Sequence, residues 1–273
     1  MSLPRYLSSN PLYVSCEVAR LYNIWTHIAI TGYVNKIFGV WYSRYIMQCV
    51  ILAAGKGTRL RPLTDNTPKP LVKVAGKALL DHIVEALPSS VDELIIVTGY
   101  LGEQIREHCG EVFFGRKVTY IEQVEQKGTA HALWLCKDLL KGRFLFMFAD
   151  DLHGPGDIAR ATSYTRSMLT LTTDTPEKFG IVVRHPDGTL AEMIEKPEHA
   201  PSNLASTGVM VLDDNIFRFD PYAKETKGEY YLTDVLAEYA KQYPIAVVEQ
   251  SLWIPIGYPE DIKKAEDILA ARH

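Results

Sequence analysis

Cysteine is scarce in this chain. Its four cysteines, Cys16, Cys49, Cys109 and Cys136, lie far apart in 273 residues, with no CxxC and no Cys/His zinc spacing. A disulfide framework and a structural metal centre are therefore not indicated, and a reduced, cytoplasmic setting is expected. An excess of charge of one sign is also missing. The 29 Lys and Arg against 33 Asp and Glu give a formal −4, so there is no reason to expect a nucleic-acid partner, because phosphate backbones select basic surfaces. No apolar run approaches the ~18 residues of a membrane span, and no clean signal peptide opens the chain. With 47% hydrophobic and 23% charged residues, wholesale disorder, collagen and coiled coil are excluded.

Residues 1–46 differ from the rest. They carry six Tyr, Trp25 and Trp41, four cations and one anion (Glu17), and show neither a 3.6 nor a 2.0 period. Three readings stand: an upstream translation artefact with Met47 as the true start, which the missing pattern favours; a membrane-surface or partner-binding arm; or a packed extension of the core. From Met47 onward the chain reads as a single catalytic domain, 47–273, carrying 25 basic and 32 acidic residues.

In that domain strand-like runs alternate with helix-like segments. Strands are expected at Cys49–Ala54, Leu94–Gly99, Lys117–Glu122, Phe144–Ala149, Met168–Thr173, Gly180–Arg184 and Gly208–Leu212, and helices at Ala78–Leu87, Leu101–His108, Ala130–Leu140, Leu232–Lys241 and Pro259–Ala271. Continuous apolar runs such as Val50-Ile51-Leu52 and Leu94-Ile95-Ile96-Val97 predict strands buried on both faces. The fold class is then α/β with a mostly parallel sheet between helix layers.

The first strand runs into Leu52-Ala53-Ala54-Gly55-Lys56-Gly57-Thr58-Arg59. Small residues there let backbone N–H groups approach a phosphate or a base edge. The loop is neither a P-loop nor a dinucleotide fingerprint, since Lys56 lies between the glycines and Leu60 stands where a third glycine belongs. Lys56, Arg59 and Lys69 gather cations around one loop, and Pro62, Pro68 and Pro70 stiffen it. Such an array at the carboxyl end of the first strand suits a triphosphate.

The run GKGTRLRPLTDNTPKPLVKVAGK resembles the signature of the sugar nucleotidyltransferases, the sugar-1-phosphate pyrophosphorylases, and the resemblance extends over essentially all of 47–273. It implies a Rossmann-like, three-layer α/β/α core of the nucleotide-diphospho-sugar transferase type. It also implies a reaction that joins a nucleoside triphosphate to a sugar-1-phosphate with Mg²⁺. By the resemblance, Leu52, Ala53, Ala54, Gly55, Gly57, Thr58, Gln123, Gly128 and Thr129 meet the nucleotide. Gly180, Glu195, Lys196, Gly208 and Glu229 meet the sugar phosphate. Arg59, Lys69 and Asp150 are catalytic, Asp150 also binding the metal. Physically, Asp150 ends a buried strand opposite the phosphate loop, a natural place for a Mg²⁺ ligand.

Two departures stand out. Ala149 replaces the family's usual glycine, and Pro255 stands where the family has its second metal-binding Asp. Either water and phosphates complete the shell, or Asp151 moves in, or the activity is impaired. UTP or dTTP with glucose-1-phosphate is the first expectation and GTP with mannose-1-phosphate the second. A cytidylyltransferase acting on an alcohol phosphate such as phosphocholine, and a non-catalytic nucleotide-sugar sensor, are the alternatives. No repeat domain follows Ala271, so a fused acyltransferase is not expected.

Overall fold

The computed structural model describes residues 47–226 and 228–272. The segment 1–46, for which three readings were open, lies outside them. The described elements are, in order, β1 (Met47–Ala53), β2 (Lys73–Val74), β3 (Lys77–Ala78), α1 (Leu79–Glu85), β4 (Val91–Thr98), α2 (Gly102–Cys109), β5 (Val112–Phe113), β6 (Arg116–Glu122), α3 (Thr129–Trp134), β7 (Arg143–Phe148) and β8 (Asp151–His153). They continue with α4 (Pro155–Thr162), β9 (Ser167–Thr172), β10 (Gly180–Arg184), β11 (Leu190–Glu195), β12 (Leu204–Asp213), α5 (Leu232–Ala240), β13 (Ala246–Glu249), β14 (Trp253–Pro255) and α6 (Pro259–Ala270).

The apolar runs place four strands side by side at the centre of a ten-stranded sheet, in the order β11-β10-β12-β7-β1-β4-β6-β5. Within it β7, β1, β4 and β6 are parallel, as strands buried on both faces require. The sheet then turns antiparallel, with β12 pairing β7, β10 and β9. It is thus parallel from β7 through β6, with an antiparallel edge at β5, and mixed beyond β7.

Alternate side chains of each central strand feed two separate cores. Leu94 and Ile96 point into a core shared with α1, α2, α4 and α6. Ile95 and Val97 point into a core shared with α3 and α5. Two helix layers on one sheet is the expected three-layer arrangement. Each fully buried Leu or Ile in these cores contributes about 1.5–3 kcal/mol.

All seven expected strands and all five expected helices are present, with shifted ends. The clearest shift is in α3, which ends at Trp134 and not at Leu140. The elements not anticipated are short or polar, among them β11, β14 and the eight-residue α4. Helix α4 is anchored by the buried Asp157, which accepts from the Ser251 and Leu252 backbone N–H groups at 2.9 and 3.1 Å.

Strand β8 also buries a titratable group. His153 is buried and faces Gln250 Oε1 at 3.3 Å. Burial pushes its pKa down to about 4, against an ordinary value near 6.5. Because the unfolded chain takes up the proton first, this group's contribution is whole above about pH 6.5 and is lost as pH falls toward 4. Between pH 7 and pH 5 the protein should lose about 2 kcal/mol from this group alone. Urea unfolding at the two pH values should show a change in stability that differs by about that amount between the native protein and His153→Gln.

Candidate active site

The carboxyl ends of the parallel strands open into two chambers, of about 350 and 660 Å³. Five residues line both: Arg59, Lys69, Thr129, Phe148 and Asp150. The candidate catalytic residues thus form the wall between two compartments, and each compartment is large enough for one substrate moiety.

The first chamber is built by the loop after β1. Leu52, Ala53, Ala54, Gly55, Gly57 and Thr58 all line it, with Gln123, Gly128 and Thr129 opposite. Gly57 is required by local packing. It is left-handed at φ 60°, and a Cβ there would lie 3.0 Å from Lys69 Cβ. Its carbonyl accepts from the Leu60 N–H at 2.9 Å and the Thr64 hydroxyl at 2.8 Å. The tight turn therefore lays the Lys69 stem against the loop and places Arg59 at the chamber rim. Arg59 is exposed, with its guanidinium over the Tyr258 ring at 5.4 Å, a cation–π arrangement. Lys56, grouped with Arg59 and Lys69 by sequence, lines neither chamber.

Gly128 has its own packing reason. At φ +95° a Cβ would fall 2.4 Å from Tyr230 O and 2.7 Å from Tyr230 N. Tyr230 N donates to Lys127 O at 2.9 Å, and Ala130 N donates to Tyr230 O at 3.0 Å. Thr129 does not cap its helix; its hydroxyl accepts from Leu232 N at 2.9 Å. Gly128→Ala should therefore cost about 3 kcal/mol through backbone strain and the lost cross-link to Tyr230. The readout is the urea midpoint measured without ligand; an unchanged midpoint would leave ligand approach as the glycine's only purpose.

Asp150 sits in the turn between β7 and β8, and its Oδ2 accepts from Lys69 Nζ at 2.8 Å. Asp151 begins β8 and accepts from the Trp253 indole N–H at 2.7 Å. Burial first, and the neighbouring Asp150 second, push the Asp151 carboxyl up. Pro255 lies directly opposite Asp151 in the β8–β14 pair. Among the described residues no group of three His, Cys, Asp or Glu side chains could hold a metal. One carboxylate facing a phosphate-sized space is nonetheless a donor set that suits Mg²⁺, which commonly takes one or two carboxylates and completes its shell with water and substrate phosphates.

The second chamber gathers Gly180, Glu195, Lys196 and Gly208. Gly180 faces Glu195 across the β10–β11 pair, and a Cβ on it would crowd the Glu195 carboxylate at 3.2 Å. Lys196 holds φ 43° and pairs with Glu195 at 3.2 Å. At Gly208, φ +82°, a Cβ would strike the Phe148 ring at 2.3 Å. Glu229, grouped with these by its motif, lines the first chamber.

Several residues that line the chambers were assigned no contact from the sequence. Tyr258, Trp253 and Phe179 line the second chamber, the last two in edge contact at 4.8 Å. Thr233 lines it as well, with a buried hydroxyl that has no hydrogen-bond partner among the described residues. Gln126 lines the first chamber and donates to Ala54 O at 2.8 Å. Long-range packing brings these side chains to the chambers, which their local motifs do not specify.

A nucleotidyl transferase family model matches residues 48–272. The UTP–glucose-1-phosphate uridylyltransferase AglF of Haloferax volcanii is 36% identical over 234 residues, covering 82% of this chain and 96% of that protein. The bifunctional protein GlmU of Methanococcus maripaludis is 33% identical over 225 residues, covering 81% of this chain and 54% of GlmU, so the chain spans about half the length of that relative. A structure of a putative glucose-1-phosphate thymidylyltransferase from Bacillus anthracis aligns with TM-score 0.71 and 26% identity, over 81% of this chain and 94% of that one. A UDP-glucose pyrophosphorylase complexed with UDP-glucose aligns with TM-score 0.72 and 25% identity, over 84% and 100%.

Proposed function

The chain belongs to the nucleotidyl transferase family, and from that premise we propose that it joins a nucleoside triphosphate to a sugar-1-phosphate, releasing pyrophosphate. UTP or dTTP with glucose-1-phosphate is the favoured pair, since AglF and the two aligned structures carry those names. The observation that carries the reading is the shared wall: Arg59, Lys69 and Asp150 border both chambers. A nucleotide in one and a sugar phosphate in the other would meet at those three side chains.

The chemistry needs no protein nucleophile. A sugar-phosphate oxygen forms the bond to the α-phosphorus while the bond from that phosphorus to the bridging oxygen breaks, and pyrophosphate leaves with the electron pair. The attacking phosphate has a second pKa of about 6 and is already ionised near neutral pH. Catalysis is then positioning plus charge neutralisation. Arg59 faces the α-phosphate and the departing pyrophosphate. Lys69 holds the triphosphate, and Lys196 the sugar phosphate. Glu195 and the unpartnered Thr233 hydroxyl are available to sugar hydroxyls. Asp150 would hold Mg²⁺, which when bound offsets the triphosphate's charge.

Among the described residues no helix is long and apolar enough to cross a membrane. Cys49, Cys109 and Cys136 are buried free thiols, which together with a triphosphate substrate favours the cytoplasm. The test is pyrophosphate release from a matrix of triphosphates and sugar-1-phosphates with Mg²⁺, phosphocholine included as an acceptor. Turnover with CTP and phosphocholine, or tight nucleotide-sugar binding with no pyrophosphate from any pair, would overturn the reading.

A further inference from the structure

Arg59 carries its part of the proposed chemistry on a long, exposed side chain. It stands on a three-residue turn, Thr58–Leu60, and its guanidinium makes no hydrogen bond or ion pair among the described residues. An arginine without a partner samples many rotamers, and fixing it when a substrate binds costs entropy.

A support for it comes from the far end of the chain. Arg59 Cζ lies over the Tyr258 ring, 5.4 Å from its centroid, and both residues line the second chamber. The backbone beneath that ring is clamped. Gly257 N and Tyr258 N both donate to Asp261 Oδ2, at 3.0 and 2.8 Å, and Asp261 N donates to Tyr258 O at 3.0 Å. Pro259 follows as the first residue of α6, where its fixed φ suits the helix start. Just before the clamp, Ile256 N donates to Asp150 O at 3.3 Å. The segment that presents the ring is therefore tied to the turn that carries Asp150.

The kind of partner matters. A carboxylate beside Arg59 would occupy guanidinium N–H donors and cancel the charge that a phosphate needs. An aromatic face attracts the cation and leaves that charge uncancelled. We propose that Tyr258 is a positioning residue for the transfer: its ring holds the Arg59 guanidinium at the wall between the two chambers before substrates arrive. The proposal rests on the nucleotidyl transfer argued above, with Arg59 at the α-phosphate. Tyr258 acts through Arg59 and not through a substrate hydroxyl or phosphate.

The experiment is a double-mutant cycle on pyrophosphate release from UTP and glucose-1-phosphate with Mg²⁺. Tyr258→Leu should lower kcat about three- to tenfold, the scale of one cation–π contact that becomes partly desolvated when substrates close over it, with KM for glucose-1-phosphate changing less. Tyr258→Phe keeps the ring and should recover most of the rate. In an Arg59→Ala background Tyr258→Leu should cause no further fall, because the group it positions is gone. An equal fall in both backgrounds, as a sugar contact or a general structural role would give, overturns the proposal, and so does a loss in Tyr258→Phe as large as in Tyr258→Leu. The hold is also read without substrate, by NMR of the protein labelled at arginine, the Arg59 signal being the one missing from Arg59→Ala. That signal should move downfield in Tyr258→Leu as the ring current is lost, and stay near its native position in Tyr258→Phe. An Arg59 signal indifferent to Tyr258→Leu overturns the proposal. Should no triphosphate turn over, the proposed function fails separately, and the spectra alone decide whether the ring holds the arginine.

Discussion

Arg59→Ala should lower kcat for pyrophosphate release by about 10²–10³-fold, the usual loss when a single preorganised charge donor is removed from a developing oxyanion. The fold should not notice. Arg59 is exposed, sits on a short turn and forms no ion pair with any described residue, and surface changes of that kind stay within about 0.5 kcal/mol. Arg59 borders both chambers, which in the proposed reaction would put it beside the phosphate being transferred instead of on the body of either substrate. The loss should thus appear in kcat and kcat/KM together, with KM changing less. Arg59→Lys should recover part of the rate and not all of it, because an ammonium cannot span two phosphate oxygens as a guanidinium does. Steady-state kinetics at saturating triphosphate, with circular dichroism to check the fold, decide the matter. Turnover undiminished in Arg59→Ala would remove it from the chemistry.

The parts of this molecule that could be read beforehand share a physical cause. A strand buried on both faces must be apolar throughout, so β1, β4 and β7 stood out from composition alone, and alternate residues do enter opposite cores. The loop after β1 was readable because a close backbone turn demands glycine, and Gly57 does need its left-handed conformation to admit Lys69. Gly128 shows where such reasoning stops. Its position was found, but its geometric constraint comes from Tyr230, about a hundred residues later, and no local pattern reveals that partner. Asp151 is a parallel case. Two adjacent carboxylates look alike in sequence, yet one pairs with Lys69 at the chamber wall while the other is tied to the Trp253 indole. Glu229 followed its motif into the sugar group, whereas packing set it at the first chamber. Strands such as β11 and β14 are not legible because β11 is half-polar and β14 is only three residues long, and neighbours already in place stabilise them.

Asp150→Asn should be nearly as damaging as the loss of Arg59, and for a more specific reason. The substitution keeps the side chain's shape and removes its charge. Two partners lose by it. Lys69, with a side chain only 11% exposed, faces Asp150 at 2.8 Å and would be left as a poorly solvated ammonium without its counter-charge. A metal held between Asp150 and the substrate phosphates would lose its carboxylate, and the neighbouring Asp151 is committed to Trp253 while the Pro255 side chain opposite it offers no donor. Turnover should fall about 10²–10³-fold, and the Mg²⁺ concentration giving half-maximal rate should rise by an order of magnitude or more, so that high Mg²⁺ returns part of the activity. Thermal melts separate the two effects. Without nucleotide, Asp150→Asn should melt below the native protein, because the uncompensated Lys69 destabilises the empty site; a saturating triphosphate should close that gap by supplying the missing negative charge to Lys69. The double change Asp150→Asn with Lys69→Met should then cost less than the two single changes added together, as residues acting through one contact do. Half-maximal Mg²⁺ unchanged in Asp150→Asn would remove the metal from this residue and leave it as the partner that holds Lys69 in place.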